Sequence, residues 1–341
     1  MDSALLIEKT VLVAILTLVT LGIAAYLTYG ERKVAAFMQD RLGPSRAGKF
    51  GLLQPIADAG KLFFKEEFIP INAERWLFIL GPAVAMITAT ITSAVIPWGT
   101  ELPVFGRSVQ LQVADVNIGV LYIMGIVSVG VYGIMIGGWA SNNKYSLFGA
   151  IRASAQMISY ELSMGLALIA VIMMSGTLSL REIVAQQEGI NWNIFYQPLG
   201  FLLFFISALA ECNRAPFDLP ECETELIGGY HTEYSSMKLG FYLFSEYVNM
   251  FVSSALMACV YLGGYNFPGM GAISDPTMLG IAQILVMFAK IGFFIFVFMW
   301  IRWTLPRFRY DQLMHLGWKT MIPLAIFNML ATGAAMLLFG N

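Results

Sequence analysis

The sequence has 341 residues, of which 58% are hydrophobic and only 12% are charged, and its formal net charge is −2 at pH 7. Soluble domains average roughly 45–50% apolar and about 25% charged residues, so the composition excludes a soluble protein and predicts an integral membrane protein. No basic patch with interleaved aromatic residues is present, which excludes a nucleic-acid partner.

Eight apolar runs are long enough, or nearly so, to cross a bilayer as helices of about 20 residues. They lie near residues 11–29, 77–97, 117–139, 156–176, 195–210, 239–262, 279–301 and 320–339. The sequence therefore predicts an all-α fold, a polytopic membrane bundle of eight transmembrane helices forming one domain over residues 1–341. The fifth run is the shortest and stops at Glu211, which suggests a helix that ends within protein. The first run lacks an Ala-x-Ala-like cleavage site and is predicted to be a retained anchor.

The distribution of basic residues predicts the orientation of the spans. One set of loops holds sixteen Lys and Arg residues, the opposite set holds Lys9, Arg107 and Arg181, and Lys290 lies inside the seventh run. The positive-inside rule places the sixteen in the cytoplasm, so eight spans leave both termini outside. Loops 30–76 and 211–238 are then long, charged and cytoplasmic, whereas the external loop 98–116 is expected to form a short hairpin or an irregular cap.

The few cysteine and histidine residues do not predict a metal centre. Cys212, Cys222 and Cys259 are too few for a four-cysteine cluster, and neither His231 nor His315 stands at metal-ligand spacing from them. Packing is the expected role of the cysteines. The chain also lacks a Gly-x-Gly-x-x-Gly or Walker motif, so nucleotide binding is not predicted. If the protein serves electron transfer, the carriers are expected on other chains.

The first cytoplasmic loop is predicted to contain a short helix. Pro55 suits the opening turn of a helix, and Asp58, Lys61 and Lys65 then follow on one face. The spacing alone is typical of a helix lying on the membrane surface with solvated lysines. An aspartate beside two lysines in an apolar frame also suits the lining of a polar pocket, and the sequence leaves both interpretations open.

The second cytoplasmic loop is rich in carboxylates. Seven of them stand against Arg214 and Lys238: Glu211, Asp218, Glu221, Glu223, Glu225, Glu233 and Glu246. Such a loop is commonly just solvated. Here, however, Glu211 ends one membrane run and Glu246 lies within the next, and two prolines interrupt the segment between them, which favours backbone that lines a cavity.

Two charged residues lie inside predicted spans. Glu161 is followed by more than three turns of apolar sequence, and a carboxylate at this depth costs roughly 2.5–3.5 kcal/mol on insertion scales. We therefore expect it to face other helices and to have a partner or a proton. Lys290 is either its counter-ion or part of a separate path.

Three arginines, Arg302, Arg307 and Arg309, collect where the seventh run ends. Arginines gather at the inner ends of spans for topological reasons alone. Arg302 still lies among apolar residues, so we expect it to be paired, with the acidic stretch 211–246 as its partner.

Three distant segments resemble one known family. They are Gly51–Glu66 (GLLQPIADAGKLFFKE), Pro216–Glu225 (PFDLPECETE) and Arg302–Leu316 (RWTLPRFRYDQLMHL). The chain is similar, over nearly its whole length, to the quinone-proximal membrane subunit of respiratory complex I, the NADH:quinone oxidoreductase. Cys222, where relatives more often have Ala or Gly, and Gly60, where many have a larger apolar residue, depart from the family pattern.

The resemblance implies two groups of site residues. One group would border a tunnel for quinone: Arg32, Arg41, Asp58, Lys61, Lys65, Phe217 and Asp218. The other would form a charged path for protons: Glu161, Glu211, Asp218, Glu221, Glu223, Glu225, Glu233, Glu246, Arg302 and Arg307. Quinone reduction takes up protons in a low-dielectric cavity, where a change in charge acts over long distances.

The resemblance also implies the molecular context. Quinone (ubiquinone or menaquinone) would be the substrate, with FMN and iron–sulphur clusters on partner subunits and no redox centre on this chain. The partners would be the peripheral-arm subunits of the quinone site, neighbouring membrane-arm subunits and lipid, in the inner membrane of a bacterial cell. The alternatives are the homologous subunit of a membrane-bound hydrogenase, a stand-alone ion transporter and a purely structural anchor.

Overall fold

The computed structural model describes residues 3–104, 107–219 and 227–339. The helices are α1 (Ser3–Met38), α2 (Gln54–Phe64), α3 (Arg75–Thr92), α4 (Gly119–Ala140), α5 (Lys144–Ser175), α6 (Leu180–Gln186), α7 (Asn193–Tyr196), α8 (Pro198–Glu211), α9 (Ser236–Tyr261), α10 (Pro276–Thr304), α11 (Tyr310–His315) and α12 (Ile322–Phe339). Single 3₁₀ turns occur at Lys49–Gly51, Ser93–Val95, Gly229–His231 and Met270–Ala272, and a π-helical turn, Leu316–Met321, joins α11 to α12.

The prediction of an all-α membrane bundle is confirmed. Within the described ranges, seven helical stretches are long and apolar enough to cross a membrane: Leu6–Met38, Arg75–Val95, Gly119–Ala140, Lys144–Ser175, Ser236–Tyr261, Pro276–Thr304 and Tyr310–Leu338. They correspond, within two residues at any end that a predicted run overshoots, to seven of the eight predicted runs. In the external loop, β1 (Glu101–Val104) and β2 (Arg107–Gln110) form an antiparallel hairpin with Glu101 opposite Gln110, one of the two forms expected there.

The fifth predicted run, residues 195–210, forms the short helix α8. Its 14 residues rise only about 21 Å. Gln197, before α8, donates a hydrogen bond to Sδ of Met174, 3.3 Å away, while the carbonyl of Ala210 accepts one from Gln156 at 2.8 Å. Because positions 156 and 174 of α5 are about 27 Å apart, α8 runs antiparallel to α5 across most of the bundle. Eight crossings remain a prediction that this packing supports.

Small residues let α3, α4 and α9 approach one another closely. A methyl group at Gly137 would collide with the hydroxyl of Tyr242, and one at Gly133 would meet the backbone of α3. The Tyr242 hydroxyl donates to the carbonyl of Gly133 at 2.9 Å. Small residues at helix contacts are typical of membrane bundles, where close backbone approach replaces the hydrophobic effect as the source of attraction.

The number of crossings determines where the C-terminus lies. With eight crossings, a reporter that functions only outside the cytoplasm should be active when it is fused after Asn341. The same reporter inserted after Asn142, between α4 and α5, should be inactive and serves as the control. Activity of a cytoplasm-only reporter after Asn341 would mean that α8 does not cross.

Candidate functional site

Glu31 of α1 is a buried carboxylate on which three polar side chains converge. The residue is only 5% exposed. Arg302 of α10 forms an ion pair with it, Nη1 of Arg214 lies 3.5 Å from its Oε2, and the Tyr247 hydroxyl donates to the same oxygen at 2.9 Å. A charge at this depth requires such partners because an unpaired ion in an apolar interior is costly.

Arg214 links Glu31 to a second carboxylate. Its Nη2 lies 3.9 Å from Oε2 of Glu246, and its guanidinium stacks over the ring of Tyr247 with 4.1 Å to the centroid. The hydroxyl of Tyr230 is 3.4 Å from Oε1 of Glu246. We call Glu31, Arg214, Glu246 and Arg302 the buried charge cluster. Two arginines balance two carboxylates in it, so the cluster is neutral when every member is ionised.

A buried glutamine holds the turn that carries Arg214. Gln156 of α5 donates to the carbonyls of Ala210, at 2.8 Å, and Phe217, at 2.7 Å. It thereby ties together both ends of the turn that follows α8. Within that turn Asn213 has a φ of 50°, in the left-handed region that asparagine tolerates better than most residues. The turn directs Arg214 towards α1 and α9.

A small polar cavity separates Glu246 from Glu211, the last residue of α8. Its volume is about 20 Å³, and its polar lining comes from Thr88, Thr92, Glu211, Asn213, Tyr230, Ser245, Glu246 and Asn249. A cavity of roughly 10–15 Å³ or more can hold one water molecule when polar partners surround it. Glu211 is buried, and its Oε2 accepts no hydrogen bond from any residue that the structure describes. The cavity is therefore suited to a water bridge between the two carboxylates.

Glu161 is the next carboxylate near Glu211. The two carboxylates are close enough to repel each other electrostatically. As expected for a carboxylate in a span, Glu161 has a partner, the hydroxyl of Ser128 on α4. It is nevertheless only half-buried, because it also borders an apolar groove of about 410 Å³ lined by residues of α4 and α5. We call this surface the α4–α5 groove.

Lys290 is not the counter-ion of Glu161. Its ammonium donates hydrogen bonds to three backbone carbonyls after α9, those of Leu262, Gly264 and Asn266, at 2.6–2.7 Å. It also lies over the ring of Trp192. A cation at the C-terminal end of a helix satisfies carbonyls that the helix leaves unbonded. The structure thus gives Lys290 a role in fixing the loop after α9.

Of the predicted tunnel residues, Arg32 and Arg41 line an open cleft beside α1. This α1 cleft, about 530 Å³ in volume, is lined by Arg32, Ala35, Arg41, Leu42, Gly43, Pro44, Ser45, Arg46, Gln54 and Trp303. Arg32 pairs with Asp58 at 2.7 Å, and Gln54 donates to the same carboxylate at 3.0 Å. Lys61 and Lys65 are exposed on or just after α2 and do not line the cleft.

The remaining predicted site residues make contacts outside the buried charge cluster. Phe217 packs against Tyr160 and Phe308, while Asp218 pairs with Arg307 at 2.7 Å. Glu233 accepts a hydrogen bond from Asn143 at 2.5 Å. Glu221, Glu223 and Glu225 lie outside the described residues. The sequence prediction is also corrected on Arg302, whose ion-pair partner in the described part of the chain is Glu31 of α1 rather than a residue of the acidic stretch.

The sequence pattern does not single out Glu31. The sequence does carry one signal for Glu31. It lies two residues after the first apolar run, just as Glu211 directly follows the fifth run, and a carboxylate is unusual at either position.

Burial raises the pKa of the Cys212 thiol to about 12, so this cysteine stays protonated and packs as a small apolar group. Among the described residues, no group of three His, Cys, Asp or Glu side chains could hold a metal ion.

Comparison with known proteins gives consistent matches over nearly the whole chain. The family model for NADH dehydrogenase matches residues 10–333. A protein of Flavobacterium psychrophilum, named as the H subunit of NADH-quinone oxidoreductase, is 62% identical over 342 residues, covering 99% of this chain and 100% of the relative. An H subunit of the same enzyme from Cytophaga hutchinsonii is 63% identical, covering 98% of each chain. One from Geobacter metallireducens is 52% identical, covering 96% of this chain and 95% of the relative.

Neighbouring residues of α1 offer a matched test of the buried charge cluster. Glu31→Gln removes one of the two carboxylates of the buried charge cluster and should lower the free energy of unfolding by about 3–5 kcal/mol. Arg32→Gln removes an ion pair whose arginine is 51% exposed and should cost less than about 1 kcal/mol. Denaturant titration of the purified subunit measures both. Equal losses in the two variants would contradict the description of the cluster.

Proposed function

Because this chain belongs to the NADH dehydrogenase family and is a membrane subunit of an NADH:quinone oxidoreductase, we propose that its α1 cleft borders the quinone path and that its buried carboxylates pass protons into the membrane. Ubiquinone or menaquinone is the substrate. FMN and iron–sulphur clusters on partner subunits supply the electrons. The chain is thus part of an enzyme whose electron carriers lie elsewhere.

The observation that carries this proposal is that two consecutive residues of α1 belong to different sites. Arg32 lines the cleft and pairs with Asp58 outside the bundle, while Glu31 belongs to the buried charge cluster inside it. Successive side chains of a helix point about 100° apart. One helix, roughly 10 Å across, therefore separates a site of charge change from a row of titratable groups.

The electrostatic interaction between a charge in the α1 cleft and the buried charge cluster is large enough to change protonation in the cluster. At an effective dielectric constant of about 20, a unit charge about 10 Å away changes the energy of an ionised group by roughly 1.7 kcal/mol. That is slightly more than a tenfold change in a proton-binding constant. Reduction of a quinone in the cleft takes up two electrons and two protons, so each uncompensated charge would alter the protonation of the cluster.

The row of carboxylates gives the displaced proton a route. From Glu246 it leads through the small polar cavity to Glu211 and then to Glu161. Each of these groups can exist with or without a proton, and one water molecule in the cavity completes the link between the first two. Groups this close titrate as a set, so the row acts as one proton-binding unit.

The two ends of the row also suggest where partners bind. Glu161 opens into the α4–α5 groove, whose lining is otherwise apolar, so a neighbouring membrane-arm subunit is proposed to cover it. On the cytoplasmic side, large apolar side chains are exposed around the α1 cleft and α2, including Leu42, Phe50, Phe63 and Phe64. An exposed patch of this kind marks a protein interface, which we assign to the peripheral arm.

The proposed location is the inner membrane of a bacterial cell, where respiratory quinone is dissolved. The alternatives, a subunit of a membrane-bound hydrogenase, a stand-alone transporter and a structural anchor, receive no support from the relatives, since those that are about 60% identical carry the quinone oxidoreductase name.

Glu161→Gln tests the proton row. The substitution keeps the shape and hydrogen-bonding capacity of the side chain but removes its proton. Quinone-linked NADH oxidation and proton translocation in sealed vesicles should therefore fall together, by about a hundredfold, the low end of what one proton-transfer group contributes. Electron transfer from NADH to an artificial acceptor in the peripheral arm should be unchanged. Glu188→Gln, at an exposed carboxylate outside the row, is the matched control. Wild-type pumping in both Glu161→Gln and Glu246→Gln would disprove the relay.

Lys61→Ala tests the quinone path separately. Lys61 shares a face of α2 with Asp58, so its loss should weaken the approach of quinone without disturbing assembly. We expect a raised KM for short-chain quinones with little change in kcat, because binding rather than proton transfer is affected. Steady-state kinetics over a range of quinone concentrations measures both constants. A lowered kcat at unchanged KM would place Lys61 in the catalytic step instead.

A further inference from the structure

The amphipathic helix α2 makes little apolar contact with the rest of the chain. Of its residues only Pro55 is buried, and the large side chains of Ile56, Phe63 and Phe64 are mostly exposed. A helix of 11 residues is too short to be stable alone in water. Its position on the bundle therefore depends on a small number of polar contacts.

Those contacts lie in its N-terminal half and at its C-terminal end. In the N-terminal half, Arg32 of α1 pairs with Asp58. At the C-terminal end, the hydroxyl of Ser236 donates to the carbonyl of Leu62 at 3.0 Å, and that of Ser235 donates to the carbonyl of Glu66 at 3.2 Å. The two parts of α2 are thus attached to different transmembrane helices, α1 and α9.

An ion pair completes the C-terminal attachment. Lys238, in the first turn of α9, pairs with Glu67, which follows α2. The lysine side chain is 11% exposed and the glutamate side chain 53%. The ammonium also lies 5.6 Å from the centroid of the Phe78 ring, a fully buried side chain of α3. Removing the anionic partner of a cation in such an apolar setting is strongly destabilising, because it leaves the buried charge uncompensated.

Backbone strain at the same place indicates that the attachment is specific. Ser236 has a φ of 56°, a conformation that a non-glycine residue adopts only where its surroundings compensate. Its hydroxyl makes the bond to Leu62. Side-chain packing agrees, because a methyl group at Gly240 would lie 3.4 Å from Cδ1 of Leu62, so α2 rests directly on α9.

We propose that Lys238 is a positioning residue for quinone access, because its pairing with Glu67 holds the C-terminal end of α2 against α9. This inference rests on the proposed function, in which α2 borders the quinone path. The face of α2 that carries Asp58 and Lys61 turns with the helix. Release of its C-terminal end would displace Lys61 relative to the α1 cleft while the pair of Arg32 and Asp58 still held the N-terminal half of α2.

The first test measures the position of α2 directly. Leu62 is partly buried under α9, so a cysteine placed there should react slowly with a membrane-impermeant maleimide in the assembled complex. Cys222→Ala removes one native cysteine, and Cys212 and Cys259 are buried. Adding Lys238→Met, which keeps an apolar side chain of similar length, should speed labelling of Leu62→Cys. Adding Lys319→Met, at an exposed lysine outside the site, should not.

The second test measures quinone kinetics. Lys238→Met and Glu67→Gln should each raise the KM for short-chain quinones by about two- to fivefold, the range that one partly exposed ion pair supports. The kcat should be unchanged. The exchanged pair Lys238→Glu with Glu67→Lys should restore the KM, which a merely structural lysine would not do. If Lys238→Met fails to assemble, Glu67→Gln on the exposed partner carries both tests.

The outcomes separate this inference from the proposed function. Unchanged labelling and unchanged KM in Lys238→Met or Glu67→Gln, with Lys61→Ala still raising the KM, would overturn the role of Lys238 and leave the quinone path standing. Unchanged KM and kcat values in Lys61→Ala would overturn the quinone path itself, and the labelling rate alone would then decide whether Lys238 positions α2.

Discussion

The pairing of Glu31 with two arginines is the interaction on which the rest of the site depends. Three transmembrane helices and one turn meet there, and none of them could bring a single charge to that depth without the others. Because the arginines compensate the carboxylates, the cluster stays buried at low cost when all its members are ionised. A proton or charge added nearby disturbs this charge compensation. A site that couples quinone reduction to proton transfer requires such sensitivity.

The cost of a buried charge also distinguishes the carboxylates close to α1 from those further away. Close to α1, the carboxylates have arginine partners. Beyond the small cavity, Glu211 and Glu161 repel each other electrostatically and have no ion-pair partner among the described residues, and a serine hydroxyl is the hydrogen-bond partner of Glu161 there. Two carboxylates in that situation cannot both be charged at low cost. The paired end is suited to sensing charge, and the unpaired end to holding a proton.

The fold was largely predictable from the sequence, whereas the site was predictable only in part. Long apolar runs identify spanning helices because the bilayer demands them, and Glu161 is conspicuous because it interrupts such a run. Glu31 lies 183 positions from Arg214, so no local pattern connects them. The partners of Lys290 are backbone carbonyls, which carry no sequence signal. Local patterns thus find charges in the membrane, but only tertiary structure assigns their partners.

Infrared difference spectroscopy of the assembled complex tests the central claim most directly. The spectrum taken on quinone reduction reports the C=O stretch of carboxylic acids that gain or lose a proton. The account predicts a carboxylic acid band that Glu211→Gln removes and Glu188→Gln leaves in place. A wild-type spectrum without such a band, or one that Glu211→Gln does not alter, would show that the buried carboxylates keep their protonation state while quinone is reduced, and would contradict the account.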